Sequence, residues 1–418
     1  MSDKKLFKNG VPLFDQNGDT VNAHGACVLK ESGKYYLFGE YKTDDVNKYI
    51  GFSCYSSADF SNWHFEGLAL PPQKSGLLGP DRVGERVKVL KCPKTGKFIM
   101  LMHTDDMKYG DPHIGLAVSD TIDGEFTFVG PLLYQGQPIK MWDMGSFVDE
   151  DGTAYLLLHE GDIYRLSDDY TEAVELVAKD IAPGGESPAM FREKGRYFLM
   201  LSNKTSWERN DNYYFTATDP HGPWVKKGLF CPAGSLTYNT QCSFVFDYPT
   251  AGGIEHIYIG DRWSYPMQKS AATLVFLPIT VEGDTMRIEK YMSVWSPDGC
   301  EDASPAVDTP LHFISDVPDD STTVPFTGAQ ISVFGESCPD GGYANFEICD
   351  NAGCVVSRAT VDFYSLVPDE GLRYVSPTLK SGGYQLKITV LGKGGVWEDK
   401  RHNRYGSKGC LVKISGYC

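Results

Sequence analysis

Five apolar, aromatic-rich runs recur along the chain, and each follows a turn that contains glycine. They occupy residues 33–40, 96–103, 152–159, 195–202 and 253–261. In most copies a Ser/Thr-Asp turn, an aromatic residue and a second glycine come next, as in Ser119-Asp120, Phe126 and Gly130. Few windows show the 3.6-residue period of a helix. Each unit is therefore predicted to form several short strands joined by polar turns.

Five multi-strand units without helices predict an all-β fold, a five-bladed β-propeller, with a stacked array of β-sandwiches as the alternative. A Pro/Asp-rich stretch at 316–323 is typical of a linker. Beyond it, alternating runs at 330–334, 359–364 and 384–390 predict a C-terminal β-sandwich (jelly-roll) domain. We expect a propeller domain over residues 1–310 and a β-sandwich accessory domain over 325–418.

The composition narrows the class of partner. Asp and Glu number 55 against 39 Lys and Arg, which gives a net charge of −16 and disfavours nucleic acid and anionic membrane surfaces. Aromatic residues make up 13% of the chain and supply flat faces that stack on sugar rings. We therefore expect an oligo- or polysaccharide substrate, with no nucleic-acid and no membrane partner. No apolar run reaches the length of a transmembrane helix.

Two further features concern the cellular compartment. Residues 1–10 contain no apolar stretch of the kind found in signal peptides, which predicts a cytoplasmic protein, or a secreted one if a leader has been trimmed. The eleven cysteines are scattered and show no zinc-ligand spacing, which predicts reduced, mostly buried thiols.

Polar clusters adjoin the apolar strands at equivalent places in the five units. They lie at residues 22–25, 84–88, 141–147, 184–190 and 239–244. In a propeller these positions would converge on the axis and bring together four carboxylates, Glu40, Glu85, Asp143 and Glu186. Like charges raise each other's pKa, and a protonated acid beside an ionised one suits cleavage of a glycosidic bond. The alternative for any single acid is a turn cap or an ion pair with arginine or lysine.

These motifs resemble a known family. Residues 22–25, 35–40, 85–86, 185–191 and 261–263, together with Gln241, resemble glycoside hydrolase family 43, and most of all its exo-β-1,3-galactanase branch. The resemblance covers about residues 10–295. It implies a five-bladed propeller and an inverting exo-hydrolase that releases galactose from β-1,3-galactan or related β-galactosides. The alternatives are an α-L-arabinofuranosidase or β-xylosidase of the same family, or a non-catalytic carbohydrate-binding propeller.

The resemblance also implies catalytic roles. Glu186 matches the general acid, and Asp143 matches the aspartate that orients the acid and tunes its pKa. The usual base of the family is an Asp at the start of the first blade, but residues 22–25 contain none. The galactanase branch shares this departure and carries a glutamine at the position of Gln241. We expect Gln241 to position the water, and Glu85 to bind substrate hydroxyls or to act as the base.

Further residues are expected to contact substrate. They are Glu40, His24, Trp142, Trp207, Asp261, Arg262 and Trp263, and Trp263 is the preferred sugar platform. His24 and His103 are alternative metal ligands, although we expect no required cofactor. The C-terminal domain resembles jelly-roll modules of bacterial glycosidases, which leaves two alternatives: it binds carbohydrate, or it packs on the propeller. The absence of a clear exposed aromatic row in its sequence favours packing. Such modules sometimes carry a structural calcium, but the chain contains no diagnostic calcium loop. Residues 202–210 depart from the Thr-Gly-Trp form of the branch, which predicts a different substrate rim.

Overall fold

The computed structural model describes residues 5–399 and 401–418, and these residues form an all-β protein. The start of the N-terminal segment used to predict the compartment, residues 1–4, lies outside the described residues. Within the described ranges, no helix is both long enough and apolar enough to cross a bilayer.

Five sheets follow one another between residues 24 and 278, and each is built mainly from strands that are consecutive in the chain. Their pairings are antiparallel except for one parallel bridge, from Tyr134 to Ala173 in the third sheet. The first sheet contains His24–Glu31, Lys34–Glu40, Phe52–Ser57 and His64–Leu70. The second contains Arg82–Lys91, Phe98–Asp106, His113–Ser119 and Thr127–Pro131. The third contains Met144–Val148, Ala154–Leu158, Ile163–Leu166 and Ala173–Ala178, extended at its outer edge by Leu133–Tyr134 and Gln137–Pro138. The fourth contains Gly185–Glu193, Arg196–Asn203, Tyr213–Ala217 and Val225–Leu229. The fifth contains Gln241–Thr250, Gly253–Arg262 and Thr273–Pro278.

The first strands of these five sheets form a closed ring. Each contacts the first strand of the next sheet, and the first strand of the fifth sheet contacts that of the first. The polar clusters of the sequence lie at the start of these strands or just before them. The ring therefore brings residues that are far apart in the chain to one end of a common axis.

The second strands explain why the repeated runs are apolar throughout. In Arg196–Asn203, Leu199 packs with Tyr155 of the third sheet, whereas its neighbour Met200 packs with Tyr258 of the fifth. Successive side chains of a strand point to opposite faces, and here both faces are covered by neighbouring sheets. Because both faces of these strands are buried, both carry apolar side chains, and the runs do not alternate with polar residues.

The N-terminal segment covers the outer edge of the fifth sheet. The side chain of Asn9 bonds the backbone of Phe276 in both directions, and the amide of Gly10 donates to Leu274. The strand Phe7–Lys8 pairs with Val294–Ser296, which in turn pairs with Glu301–Asp302. The edge that would otherwise expose unpaired backbone groups is thus closed by the start of the chain.

The C-terminal unit consists of two four-stranded antiparallel sheets that share one apolar core. One sheet contains, in spatial order, Thr309–Ser315, Val412–Tyr417, Ser332–Ser337 and Asp369–Val375. The other contains Ser321–Gly328, Gly382–Val390, Tyr343–Asp350 and Val355–Asp362. Tyr374 of the first sheet packs against Phe346 of the second at a ring distance of 4.8 Å.

The proposed linker at 316–323 lies inside this unit, which corrects the sequence interpretation. Thr309–Ser315 pairs with the last strand, Val412–Tyr417, so the unit begins before residue 316. Residues 316–320 of the Pro/Asp-rich stretch form a loop, and its last three residues begin the strand Ser321–Gly328. Such a loop has the composition of a linker because both need solvated backbone without regular pairing.

The remaining elements are short. They are the strand pairs Thr280–Glu282 with Thr285–Arg287 and Val396–Glu398 with Arg404–Gly406, and single helical turns at Gly76–Leu78, His159–Gly161, Leu236–Asn239 and Gln268–Ala271. All eleven cysteines are free thiols, as expected, but only five are buried, because several of those in the C-terminal unit lie at turns and at the chain end.

Phe7 tests the role of the N-terminal segment. Its ring lies 4.4 Å from that of Phe60 and 5.0 Å from those of Phe276 and Trp295. Phe7→Ala should lower the free energy of unfolding by about 3–5 kcal/mol in urea denaturation, because it leaves a cavity among these rings. Val129→Ala, at a side chain that is 60% exposed, is the control and should change it by less than about 0.5 kcal/mol. A loss below about 1 kcal/mol for Phe7→Ala would show that the N-terminal segment does not stabilise the ring of first strands.

Candidate active site

An open cavity lies where the first strands of the five sheets begin. Eight of the residues predicted for the site line it: Glu40, Glu85, Trp142, Asp143, Glu186, Trp207, Gln241 and Trp263. The convergence follows from the ring, because equivalent positions of successive sheets meet at its axis.

A repeated backbone bulge aims three of the ring's side chains. The pairing register shifts just after His24, Glu85 and Glu186, at the same place in the first, second and fourth sheets. The next residue in each case, Gly25, Arg86 or Ser187, has a left-handed φ of 54–56°. Bulges of this kind turn a side chain out of the ladder and are common beside active sites.

Glu186 is the acid held in its protonated form. Burial, and then the charge of nearby Asp143, raise the pKa of Glu186 to about 8. Its Oε1 accepts a hydrogen bond of 2.9 Å from Nε2 of Gln241. At neutral pH this carboxyl group therefore carries a proton that it can give away.

Asp143 lies between a hydroxyl and a guanidinium. Its Oδ2 accepts a hydrogen bond of 3.1 Å from Oγ of Ser187 and lies 3.3 Å from Nε of Arg86. Asp143 thus forms an ion pair with Arg86 and a hydrogen bond with Ser187. The charge of Asp143 is the second reason why Glu186 keeps its proton.

All four hydrogen-bonding positions of the Gln241 amide are occupied. Its Oε1 accepts from Arg86 at 2.5 Å and from Nε1 of Trp263 at 2.8 Å, while Nε2 donates to Glu186 and to Oγ of Ser202. Arg86 and Trp263 can only donate, so they fix which end of the amide is oxygen. In this arrangement Gln241 orients Glu186, and it has no free position for the water that we expected it to hold.

Arg86 is the central cation of the site. Besides Asp143 and Gln241, its guanidinium lies 3.7 Å from Asp261 and 5.3 Å from the ring of Trp263. Its backbone amide donates to Oε1 of Glu40 at 2.8 Å. Arg86 thus contacts several axial acids at once.

Glu85 is kept ionised by a cationic histidine. Burial opposes protonation of His103, but its hydrogen bonds to Asp105 and Glu85, of 3.3 and 3.0 Å, prevail and raise the pKa of His103 to about 9. Burial likewise opposes ionisation of Glu85, but the hydrogen bond from His103 and the charge of Lys42 lower its pKa. Tyr109 donates to the other oxygen of Glu85 at 2.8 Å.

The same region contains three groups that are able to ligate a metal. Ligand atoms of Glu85, His103 and Asp143 lie within 4.8 Å of one another. Both ring nitrogens of His103, however, face carboxylates, and a protonated imidazole has no lone pair to offer a metal. The cluster fits a hydrogen-bonded triad of Glu85, His103 and Asp105 better than a metal site.

Glu40 reaches Arg86 because residue 25 is glycine. A Cβ at Gly25 would lie 2.1 Å from Oε1 of Glu40, and φ at this position is +56°. Burial raises the pKa of Glu40, and the ion pair with Lys42 opposes that shift. The motif at 22–25 thus makes room for a carboxylate from the next strand.

Three predicted contact residues do not line the cavity, which corrects the expectation that they contact substrate. Asp261 is buried beneath Arg86 and accepts from the amide of Gly25. Arg262, its neighbour on the strand, points the other way and donates to the carbonyl of Tyr238. His24 is 1% exposed, and burial lowers its pKa to about 3, so its ring is neutral.

The aromatic residues also differ from expectation. Trp263, the preferred sugar platform, is 2% exposed, and its indole edge serves Gln241. Trp142 is 40% exposed and is the better platform, with its ring 5.6 Å from that of buried His159. Trp207 is half-buried and stacks on Tyr265 at 5.5 Å.

Sequence reasoning missed several lining residues. They are Tyr109, His159, Lys204, Ser206 and five residues of the C-terminal unit, Glu398, Asp399, Arg401, Asn403 and Tyr405. Lys204 and Ser206 lie in the 202–210 segment already expected to reshape the rim. The C-terminal residues carry no local signal, because only the packing of the two parts of the chain brings them to the cavity.

Comparisons with known proteins agree with this geometry. A sequence profile of Glycosyl hydrolases family 43 matches residues 20–231. A crystal structure from Bifidobacterium bifidum S17, provisionally assigned as an exo-β-1,3-galactanase, is 36% identical over 68% of this chain and 96% of its own, with a TM-score of 0.62. A comparison with curated proteins gives no match.

Two other solved structures extend the similarity to almost the whole chain. An exo-β-1,3-galactanase from Phanerochaete chrysosporium, solved with β-1,3-galactotriose, is 24% identical over 99% of this chain and 100% of its own, with a TM-score of 0.71. An exo-β-1,3-galactanase from Clostridium thermocellum is 25% identical over 98% and 86%, with a TM-score of 0.64. The chain therefore belongs to glycoside hydrolase family 43, a family of inverting glycosidases. Within it the resemblance to the exo-β-1,3-galactanase branch is confirmed.

Arg86 provides a test of the charge network. Arg86→Met should lower the free energy of unfolding by about 3–5 kcal/mol in urea denaturation, because it leaves Asp261 and Asp143 without their cation. Arg86→Lys should recover only part of the loss, since an ammonium cannot bridge several planar groups. The control is Arg358→Met, at an exposed ion pair with Glu347, which should cost less than about 1 kcal/mol. Equal losses at the two positions would contradict a special role for Arg86.

Proposed function

We propose that this protein is an inverting exo-hydrolase that releases galactose from β-1,3-linked galactan or related β-galactosides. The observation that carries the proposal is the pair formed by protonated Glu186 and charged Asp143 in one cavity. The 36% identity to the Bifidobacterium protein supports galactan as the substrate class. The aromatic and carboxylate lining of the cavity suits a neutral, hydroxyl-rich ligand.

We also infer the finer architecture that this function requires. The five sheets are taken as blades of a five-bladed β-propeller over about residues 1–310, and the two C-terminal sheets as a β-sandwich. The closed ring of first strands supports the propeller, since five sheets that follow one another back to the first surround one common axis. The shared core of the two C-terminal sheets supports the sandwich.

In the proposed reaction Glu186 donates its proton to the oxygen of the leaving sugar. Gln241 holds the carboxyl group in place, and Asp143 keeps it protonated until the bond breaks. Water attacks the anomeric carbon from the opposite face of the ring, which inverts the configuration. The proton that this water loses passes to solvent water in the open cavity, and uptake of a proton by Glu186 restores the acid for the next cycle. The general acid accounts for about a 10²- to 10⁴-fold part of the rate.

Glu85 fits substrate binding better than proton abstraction. An efficient general base has a pKa near the working pH, whereas the pKa of Glu85 is lowered by His103 and Lys42. Oε1 of Glu85 accepts from Asn47 and Tyr109. Oε2 accepts from His103 and keeps one acceptor position that suits a sugar hydroxyl. We therefore propose Glu85 as a hydroxyl-binding residue at the closed end of the cavity.

The role of Glu186 as acid is tested with two leaving groups. Glu186→Gln should lower kcat/KM on β-1,3-galactobiose by about 10²- to 10⁴-fold, and by much less on 4-nitrophenyl β-galactoside, whose leaving group needs no proton. The wild type should lose activity as the pH rises through about 8, where Glu186 ionises, and the variant should lack this alkaline limb. Glu150→Gln, at an exposed turn, is the control.

Product analysis completes this test. NMR should show α-galactose as the first-formed anomer, and a β-anomer would contradict inversion. If the protein cleaves only the arabinofuranoside or the xyloside in a panel of nitrophenyl sugars, that sugar is the substrate and galactose is not. Binding of galactan without release of any sugar would identify a non-catalytic protein.

Glu85 is tested by separating binding from turnover. Glu85→Gln should raise KM for β-1,3-galactobiose more than it lowers kcat, because it weakens contacts made to bound substrate. Glu85→Ala should gain no activity when azide is added. If azide restores turnover and yields α-galactosyl azide, Glu85 is the base and the binding role is wrong.

A further inference from the structure

The C-terminal unit contributes one wall of the cavity. Its two-stranded hairpin, Val396–Glu398 paired with Arg404–Gly406, is defined here as the rim hairpin. Five of its residues line the cavity: Glu398, Asp399, Arg401, Asn403 and Tyr405. The cavity is therefore shared between the N-terminal ring and the C-terminal unit.

Burial places the rim hairpin at the mouth of the cavity. Glu85, Gln241 and Trp263 are at most 6% exposed and form the closed end. Arg401 and Asn403, in contrast, are exposed. A ligand that reaches the buried acids would pass the hairpin on its way in.

A chain of aromatic contacts fixes the rim hairpin to the ring. Trp397 is buried and lies 6.0 Å from Tyr405 in a stacked arrangement, and 6.4 Å from Tyr265 at a steep angle. Tyr265 stacks on Trp207, which meets Trp263 edge to face at 5.0 Å. These contacts run without a break from the closed end of the cavity to its mouth.

Polar bonds hold the two parts of the chain together beside this aromatic chain. Nε1 of Trp397 donates to Oγ of Ser206 at 3.2 Å. The hydroxyl of Tyr364 donates to buried Glu208 at 2.5 Å, so the 202–210 segment is held from the C-terminal side at two points. The part of the rim expected to depart from the galactanase branch is the part that the C-terminal unit holds.

The turn of the rim hairpin is organised before any ligand arrives. Oδ1 of Asp399 accepts from the backbone amides of Arg401 and Asn403, and Oδ2 accepts from the side chains of Asn403 and Tyr405. Among the described residues, the guanidinium of Arg401 has no hydrogen-bond or ion-pair partner. The turn therefore holds Arg401 at the mouth of the cavity, where the N–H groups of its guanidinium are free to donate to ligand hydroxyls.

We propose that the rim hairpin binds the galactose residues of the main chain that lie beyond the scissile bond, so that the C-terminal unit sets the preference for substrate length. This inference rests on the proposed exo-galactanase function. An exo-enzyme holds the terminal sugar at the closed end, beside Glu186, and the rest of the chain leaves through the mouth. Arg401 donates to hydroxyls of these outer sugars, and the ring of Tyr405 supplies an apolar face for them.

The experiment compares substrates of increasing length on the full chain. For Arg401→Ala and Tyr405→Ala, kcat/KM is measured on 4-nitrophenyl β-galactoside, β-1,3-galactobiose, galactotriose and galactotetraose. The ratio of galactotriose to nitrophenyl substrate should fall by about tenfold, the loss that one or two hydrogen bonds represent. Arg358→Ala, on an exposed strand of the C-terminal unit, is the control and should leave every ratio as in the wild type.

Two results would overturn the proposal. The first is an unchanged dependence on chain length in both rim variants. The second is an equal loss on all four substrates together with a lower Tm, which would show that the hairpin only supports the fold.

A binding arm separates failure of this inference from failure of the proposed function. Calorimetry in the Glu186→Gln background measures affinity for galactose and for β-1,3-galactotriose without turnover. If Arg401→Ala weakens the trisaccharide more than the monosaccharide, the hairpin binds outer sugars even if the wild type releases none. Equal affinities with and without Arg401 would reject the hairpin site, whatever the wild type hydrolyses.

Discussion

The guanidinium of Arg86 is the contact on which the rest of the site depends. Through its side chain and its backbone amide, this one residue of the second sheet reaches Glu40 of the first, Asp143 at the start of the third, and Gln241 and Asp261 of the fifth. Gln241 in turn donates a hydrogen bond to Glu186 of the fourth sheet. Several carboxylates buried near one axis would repel one another, and the cation at their centre offsets part of that repulsion.

Around that cation the acids divide into two kinds. Glu85 is held ionised by His103, whereas Glu186 is buried beside Asp143 and keeps its proton. Chemically identical groups thus acquire opposite protonation states from their surroundings, and this division assigns the acid in a glycosidase. Gln241 belongs to the support of Glu186, since Arg86, Trp263 and Ser202 occupy its remaining bonds.

Repetition in the sequence predicted the convergence of Glu186, Asp143 and Gln241, because equivalent positions of repeated units meet at one axis. It did not predict which neighbours point away. Arg86 and Ser187 adopt left-handed backbone at bulges where no glycine marks the turn, and Arg262 lies on the opposite face from Asp261. Tyr405 reaches the cavity only because distant parts of the chain pack together. Such packing leaves no local periodicity in the sequence from which it could be predicted.

The aromatic contacts between Trp263 and Tyr405 have a consequence for how this enzyme can be rebuilt or can diverge. The catalytic ring and the C-terminal unit are not independent modules, because each makes part of the cavity wall. Exchanging the C-terminal unit for another would redraw the entrance while leaving the acids in place. Substrate range could then change by recombination of whole units, without a single substitution near Glu186.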